Sequence, residues 1–186
     1  MVRKSEHMFE KVNITPLGLQ ILIFLARNPD KQFYIREIAK NMDKSVGGTH
    51  KNLKSLKEMS FVKENKSGKN LYYQINQMNP SIKNFKIFMT INELAPLVNK
   101  LKEMSEKIIL FGSCATGQDT SESDIDLLIL TNEKEKVNKY IISKRFDRKI
   151  QAVVINTGDL MKIKEKDKAF YQEIKKGITL WDIKNG

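Results

Sequence analysis

This 186-residue chain has few of the residues that staple or tether a fold. It has a single cysteine, Cys114, so no internal disulfide can form, and the composition suits a reducing, cytoplasmic setting. Its two histidines, His7 and His50, stand far apart, which argues against a histidine-built metal centre. No apolar run approaches 18 residues, so no membrane span and no membrane partner are expected. Met1 to Asn13 is charged throughout, unlike a secretory leader. Four prolines and nine glycines leave no low-complexity tract, and no internal repeat is visible.

Acidic residues are also in short supply. Lys and Arg number 33 against 22 Asp and Glu, a net charge of +11. The excess is uneven: residues 1–80 carry 14 basic and 7 acidic side chains, residues 81–186 carry 19 and 15. The shorter N-terminal part therefore holds most of the surplus. A basic surplus points to polyanionic partners, nucleic acid first. A length of 186 residues with 40% hydrophobic composition is enough for one large or two small domains with real cores.

The first 80 residues read as helix, short helix, turn, helix and hairpin. Thr15 is placed to cap a helix with Pro16 at its first position, and Leu17, Ile21, Leu22, Phe24 and Leu25 form its apolar stripe. Asn28-Pro29-Asp30 stops it. A second, short helix opens at Phe33 and ends near Met42. Ser45 can cap a third, with Val46, Thr49, Leu53, Leu56 and Met59 on its inner face. Phe61–Glu64 and Leu71–Ile75 read as strands joined by the basic turn Asn65–Asn70. Pro80 to Glu106 reads as helical with a break near Pro96, and Leu94, Leu97, Val98, Leu101 and Met104 make its apolar stripe.

The densest signal lies further on. Ile108-Ile109-Leu110-Phe111 runs into Gly112-Ser113, and eleven residues after Ser113 comes Asp124-Ile125-Asp126, followed by Leu127-Leu128-Ile129-Leu130. In a strand of period two, Asp124 and Asp126 share a face. Two carboxylates on one rigid face suit Mg²⁺ or Mn²⁺, with phosphate oxygens completing the shell. Gly112 allows a sharp turn and close approach of the backbone to a phosphate, and Ser113 can donate a hydrogen bond to it. After this pair, 133–144 reads as an amphipathic helix, 149–155 as a strand, 157–175 as helical and 177–181 as a closing strand.

Gly112, Ser113, Ala115 and Gly117, then Ser123-Asp124-Ile125-Asp126-Leu127, resemble the minimal nucleotidyltransferases of the DNA polymerase beta superfamily. The resemblance covers roughly the last 80 residues. It implies a small mixed sheet packed on helices, an NTP bound with Mg²⁺, and transfer of a nucleoside monophosphate to a protein or small-molecule acceptor. It gives Asp124 and Asp126 the catalytic metal role and Gly112, Ser113 and Ser123 the nucleotide. Active members carry a third carboxylate on a later strand. Here the pattern of Lys149–Ile155 puts Gln151 at that place, and Asp147 is four residues too early. The order of elements over 12–78 resembles winged helix-turn-helix regulators. That implies a recognition helix whose Thr49, His50, Lys51, Lys54, Ser55 and Lys57 meet double-stranded DNA, with Lys66 and Lys69 of the wing on the neighbouring backbone.

The expected fold is thus α+β: an N-terminal winged helix-turn-helix over 12–78, a helical linker over 79–106, and a C-terminal small mixed sheet on helices over 107–186. The expected function is a DNA-binding transcriptional regulator, a homodimer in many relatives of its first domain, with a nucleotidyltransferase-like second domain. Two alternatives stand beside it. One is a regulator whose second domain is catalytically inactive and serves as nucleotide sensor or interaction surface, as Gln151 favours. The other is a nucleotidyltransferase-type antitoxin that modifies a partner toxin.

Overall fold

The structure is a computed structural model that describes residues 13–68 and 70–184. Lys69, one of the expected DNA contacts, lies outside the described residues. Among these residues the chain forms eight α-helices and two sheets, an α+β fold. It falls into two compact units that part between Ile82 and Lys83.

The first unit runs α1 (Pro16–Arg27), β1 (Phe33–Tyr34), α2 (Ile35–Asn41), α3 (Val46–Glu58), β2 (Val62–Ser67) and β3 (Asn70–Ile75). The Thr15 hydroxyl accepts the Gly18 N–H at 3.0 Å and starts α1. Ser45 does the same for α3, accepting the Gly48 N–H at 3.1 Å. Ile21, Leu22 and Leu25 of α1 pack with Ile38 of α2, Leu53 and Leu56 of α3 and Tyr73 and Ile75 of β3, all buried. The sheet order is β1-β3-β2, antiparallel throughout. Helix, strand, two helices and a hairpin is the winged helix-turn-helix order.

Phe33 and Tyr34 were expected to open the second helix; they form β1 instead. They pair with Tyr73 and Tyr72, and the Glu37 carboxylate accepts the Tyr34 N–H at 2.7 Å, so α2 begins only at Ile35. Aromatic side chains gain more from a pleated, half-buried surface than from a first helical turn. The hairpin is also longer than expected, because β2 continues to Ser67 and leaves only a tight turn at Gly68.

The second unit contains most of α4 (Pro80–Leu101), then a 3₁₀ turn, β4 (Lys107–Phe111), α5 (Gly112–Thr116), β5 (Ile125–Leu130), α6 (Lys134–Ile142), β6 (Ile150–Ile155), α7 (Thr157–Lys166), α8 (Lys168–Lys175) and β7 (Ile178–Asp182). Its sheet has the order β6-β5-β4-β7 and is mixed: β5 pairs parallel with β6, the other pairs are antiparallel. Period two sorts the strands. Ile108, Leu110, Leu127 and Ile129 pack with Leu94, Leu97 and Leu101 of α4 and Val137 of α6. Ile109, Phe111, Leu128 and Leu130 pack with Ile155, Ile174, Leu160 and Phe170, hence under α7 and α8. Both faces are covered, which is why these strands are nearly continuous apolar runs.

The helix over the segment read as a linker thus supplies core side chains to the second unit. No break occurs at Pro96: α4 runs through it to Leu101. Pro96 and Asn92, whose carbonyl loses its partner, are both exposed, so water can satisfy that carbonyl. Buried Leu94, Leu97 and Leu101 hold the turns on either side. The helical region 157–175 is two helices, divided where the Asp167 carboxylate accepts the Phe170 N–H at 3.0 Å and caps α8. No helix among the described residues is long and apolar enough to cross a membrane.

Candidate functional site

The Gly-Ser turn and the acidic pair meet at the end of β4. Phe111 lies opposite Asp126 in the β4–β5 ladder, so the turn that leaves β4 passes over the Asp126 carboxylate. Gly112 has φ +68, and a β-carbon there would overlap the Asp126 carboxylate oxygen. Only glycine meets both conditions. The short α5 ends at Gly117, φ +66, where a β-carbon would run into the Lys83 carbonyl of α4. The turn is therefore fixed at both ends by backbone that no side chain could replace.

Gln151 is the direct neighbour of Asp126 in the parallel β5–β6 pairing. Its alternation with Val153 and Ile155 gives it the same sheet face as Asp126. The neutral amide therefore stands beside the acidic pair. Burial, the charge of Asp124 and then that of Glu173 push the Asp126 carboxyl above the ordinary aspartate range. Asp124 has a counter-charge, the Lys149 ammonium at 3.0 Å, but that lysine is 74% exposed and holds it weakly. A half-buried carboxylate crowded by like charge is a place where a cation binds favourably. The residues fit a single divalent ion on Asp124 and Asp126. Among the described residues no cluster of three or more His, Cys, Asp or Glu could hold a metal.

One expected site residue, Ser123, is otherwise engaged, and Cys114 beside the turn serves packing. The Ser123 hydroxyl accepts the Thr120 N–H at 2.8 Å and closes the loop ahead of β5. Cys114 is buried within α5; burial pushes its thiol up to about 11, so it is a packing residue rather than a nucleophile.

A buried ionic brace holds this loop, and nothing in the sequence announced it. Asp119 is 6% exposed, and its carboxylate takes Arg148 at 2.9 Å and Lys86 at 3.2 Å. Lys86, 3% exposed, also donates to the Asp119 carbonyl. Arg148 further donates to the Thr90 hydroxyl at 3.0 Å and to Glu93 at 3.5 Å. Two cations and two anions from α4, the loop and the approach to β6 thus compensate one another, as buried charge requires. Sequence separations of 29 to 58 residues hide such a set from local patterns.

Beside the turn lies a cavity of about 320 Å³. Gly112, Ser113 and Thr116 form one wall, and Glu173, Lys176 and Gly177 the other. The last three were not anticipated: Glu173 reads as part of a solvated helix, Lys176 as its end and Gly177 as the start of the closing strand.

In the first unit, His50, Lys51, Lys54 and Lys57 are exposed along α3, Ser55 is half-buried, and Lys66 is exposed on β2. Lys57 is already paired with Glu64 at 2.6 Å. Thr49 cannot be the DNA contact expected of it. It is fully buried, and its hydroxyl donates to the Ser45 carbonyl at 3.0 Å. Its place on the inner stripe with Leu53 and Leu56 decides its role.

The fold and site can now be set against known proteins. No curated protein matches the chain. Among solved structures it is similar to fragment 1–100 of a possible transcriptional regulatory protein from Mycobacterium bovis, with 21% identity over 49% of this chain and 97% of that one, TM-score 0.37. A possible transcriptional regulator from Methanosarcina mazei Go1 shares 19% identity over 50% of this chain and 81% of that one, TM-score 0.36. A candidate nucleotidyltransferase from Sulfolobus solfataricus shares 18% identity over 56% and 90%, TM-score 0.39. At TM-scores this low the likenesses carry no weight. The family model described as Polymerase beta, Nucleotidyltransferase is different in kind: it matches residues 92–185, just over half the chain, and takes in the Gly-Ser turn, Asp124, Asp126 and the whole mixed sheet. The chain belongs to the polymerase beta nucleotidyltransferase family.

Proposed function

We propose that this chain is a DNA-binding regulator whose second unit binds a nucleoside triphosphate with Mg²⁺ or Mn²⁺. The observation that carries the nucleotide reading is the contact between Gly112 and the Asp126 carboxylate. It brings the phosphate-approach turn and the metal ligand to one point. Asp124 and Asp126 would hold the ion, which supplies Lewis-acid polarisation of the phosphate oxygens when bound. Gly112 lets the phosphates approach the backbone, and Ser113 donates to them. The Asp119 brace keeps the loop between turn and pair from moving when these charges change. The DNA reading is supported by the exposed row of His50, Lys51 and Lys54 with Lys66 on the wing.

Gln151 favours a domain that binds nucleotide better than it transfers it. An amide neither adds charge to the ion's surroundings nor accepts a proton from an attacking hydroxyl. The unit then serves as a nucleotide sensor for the DNA-binding unit. Incubation with labelled ATP, Mg²⁺ and cell lysate, beside an Asp126→Ala control, tests this. The sensor reading expects saturable ATP binding that Asp126→Ala removes, with little label on any acceptor. Rapid Asp126-dependent labelling would replace it with an active nucleotidyltransferase acting on a protein or small acceptor.

A further inference from the structure

The two carboxylates of the acidic pair are held in different ways. Asp126 stands inside β5, opposite Phe111 and beside Gln151, so pairing on both sides fixes it. Asp124 comes one residue before β5 and has no ladder partner. Its side chain meets Lys149, an exposed lysine that fixes little. Its backbone is better anchored. The Asp124 carbonyl accepts the Cys114 thiol at 3.4 Å, and the next N–H, that of Ile125, donates to the Lys149 carbonyl at 2.8 Å. The thiol thus joins α5, the helix that carries the Gly-Ser turn, to the carboxylate residue that strand pairing leaves out.

The same thiol is gripped by the buried brace. Arg148 Nη1 donates to the Cys114 sulfur at 3.5 Å and to the Asp119 carboxylate at 2.9 Å. Its Nη2 donates to the Thr90 hydroxyl at 3.0 Å and to the Glu93 carboxylate at 3.5 Å. Each terminal nitrogen of a guanidinium carries two N–H groups in a rigid planar fork, so all four are taken. Three oxygen acceptors fix the plane of the fork, and the remaining donor is thereby aimed at sulfur. The directions agree: a thiol that gives its proton to the Asp124 carbonyl has only lone pairs to offer Arg148. Cys114 is 0% exposed, so water does not compete for either bond. Bonds to sulfur are weak and add little to global stability. What a chain of them can set is the position of its last member, Asp124.

We infer that Arg148 is a positioning residue for the metal ligand Asp124, acting through the Cys114 thiol. It does for Asp124 what the β4–β5–β6 ladder does for Asp126. This rests on the metal reading of the acidic pair, but it assigns roles to two residues outside that pair and outside the Gly-Ser turn's own chemistry. Groups that orient a ligand from behind commonly matter 10–100-fold to metal affinity.

The test is Mn²⁺ binding to the full chain without nucleotide, read from the electron spin resonance of the free ion, with a melting curve for each variant. Arg148→Lys keeps a cation for Asp119 but cannot also reach the sulfur. Cys114→Ala leaves the rest of the brace in place and decides the matter if Arg148→Lys fails to fold. Each should weaken Mn²⁺ binding roughly 10-fold. Cys114→Ser should recover much of the loss, because a hydroxyl donates and accepts in the same directions. A merely structural role is separated by a double-mutant cycle. In an Asp124→Asn background Cys114→Ala should add no further loss, whereas in an Asp126→Asn background it should keep its full effect. Unchanged Mn²⁺ binding in Cys114→Ala, or equal loss in both backgrounds, overturns the inference and leaves the metal reading intact. No Mn²⁺ binding by the natural chain, or binding that survives Asp124→Asn with Asp126→Asn, overturns the metal reading and the inference with it.

Discussion

The two units deal with charge in opposite ways. In the first, no charged side chain among the described residues is buried; Thr49 and the Tyr73 hydroxyl are the polar groups drawn inside, and the lysines stand in solvent. In the second, Lys86 and Asp119 are buried and Arg148 is drawn in beside them. The contrast follows from the ligands proposed. A DNA backbone is long and repetitive, so mobile surface ammonium groups neutralise it without a fixed pocket. A metal-bound phosphate chain is compact and must be met at fixed atoms, so the loop that carries Asp124 has to be held. The cost of burying ions falls on the unit that needs geometry.

The strongest way to break this comparison is to remove the centre of the brace. Asp119→Ala leaves Lys86 buried without its partner and should destabilise the chain by about 3–5 kcal/mol in urea unfolding. The surface change Lys51→Ala should move stability by less than about 0.5 kcal/mol. Similar small shifts for both would mean that the brace holds nothing. Next in size, Asp124→Asn with Asp126→Asn should lower Mg-ATP affinity by roughly 100-fold or more while the melting curve stays cooperative. Unchanged affinity in a folded double variant would sink the metal assignment.

A third experiment sharpens the other side. Replacing Lys51, Lys54 and Lys66 together by Ala should weaken duplex binding for every sequence. It should also flatten the slope of log affinity against log salt by about 2.7, near 0.9 per lost phosphate contact. Absence of any duplex binding by the natural protein at low salt would remove the DNA role. Smaller again, Gln151→Asp should raise nucleotide transfer by roughly 10-fold or more over a low background. No gain would place the barrier elsewhere than the third carboxylate.

The smallest effect concerns pH. Burial, then the hydrogen bond and charge of Glu64, push the Tyr73 hydroxyl up to about 12 from its ordinary 10.0. A pKa raised by folding stabilises the protein below the unfolded value, and this stability is lost as pH rises through the folded one. The first unit should therefore weaken between about pH 10 and 12. Tyr73→Phe should lose that alkaline step in a melting series and keep its behaviour at neutral pH.

Legibility in the sequence tracked the range of the interaction. The caps at Thr15 and Ser45 and the place of Gln151 are set by neighbours a few residues away or by strand period, and each was readable; Asp124, expected on the strand with Asp126, lies just ahead of β5. Thr49 was given two places from the sequence, the inner stripe and a DNA contact; its spacing with Leu53 and Leu56 already favoured the inner one, where it is buried. Phe33 and Tyr34 were misread because their partners, Tyr72 and Tyr73, lie in the wing. Pro96 was overruled by the leucines packed beneath it. The brace of Lys86, Asp119 and Arg148 and the α8 wall of the cavity depend on tertiary placement alone, so no spacing rule could have shown them.

The register of β5 against β6 has an evolutionary consequence. Because Gln151 is paired directly with Asp126, the only change needed to put a carboxylate beside the pair is from glutamine to glutamate. The two side chains are nearly the same shape, and their codons differ at a single base. Under the proposed function, that single step would be the one separating a nucleotide-sensing domain from a nucleotide-transferring one, with the sheet left as it is.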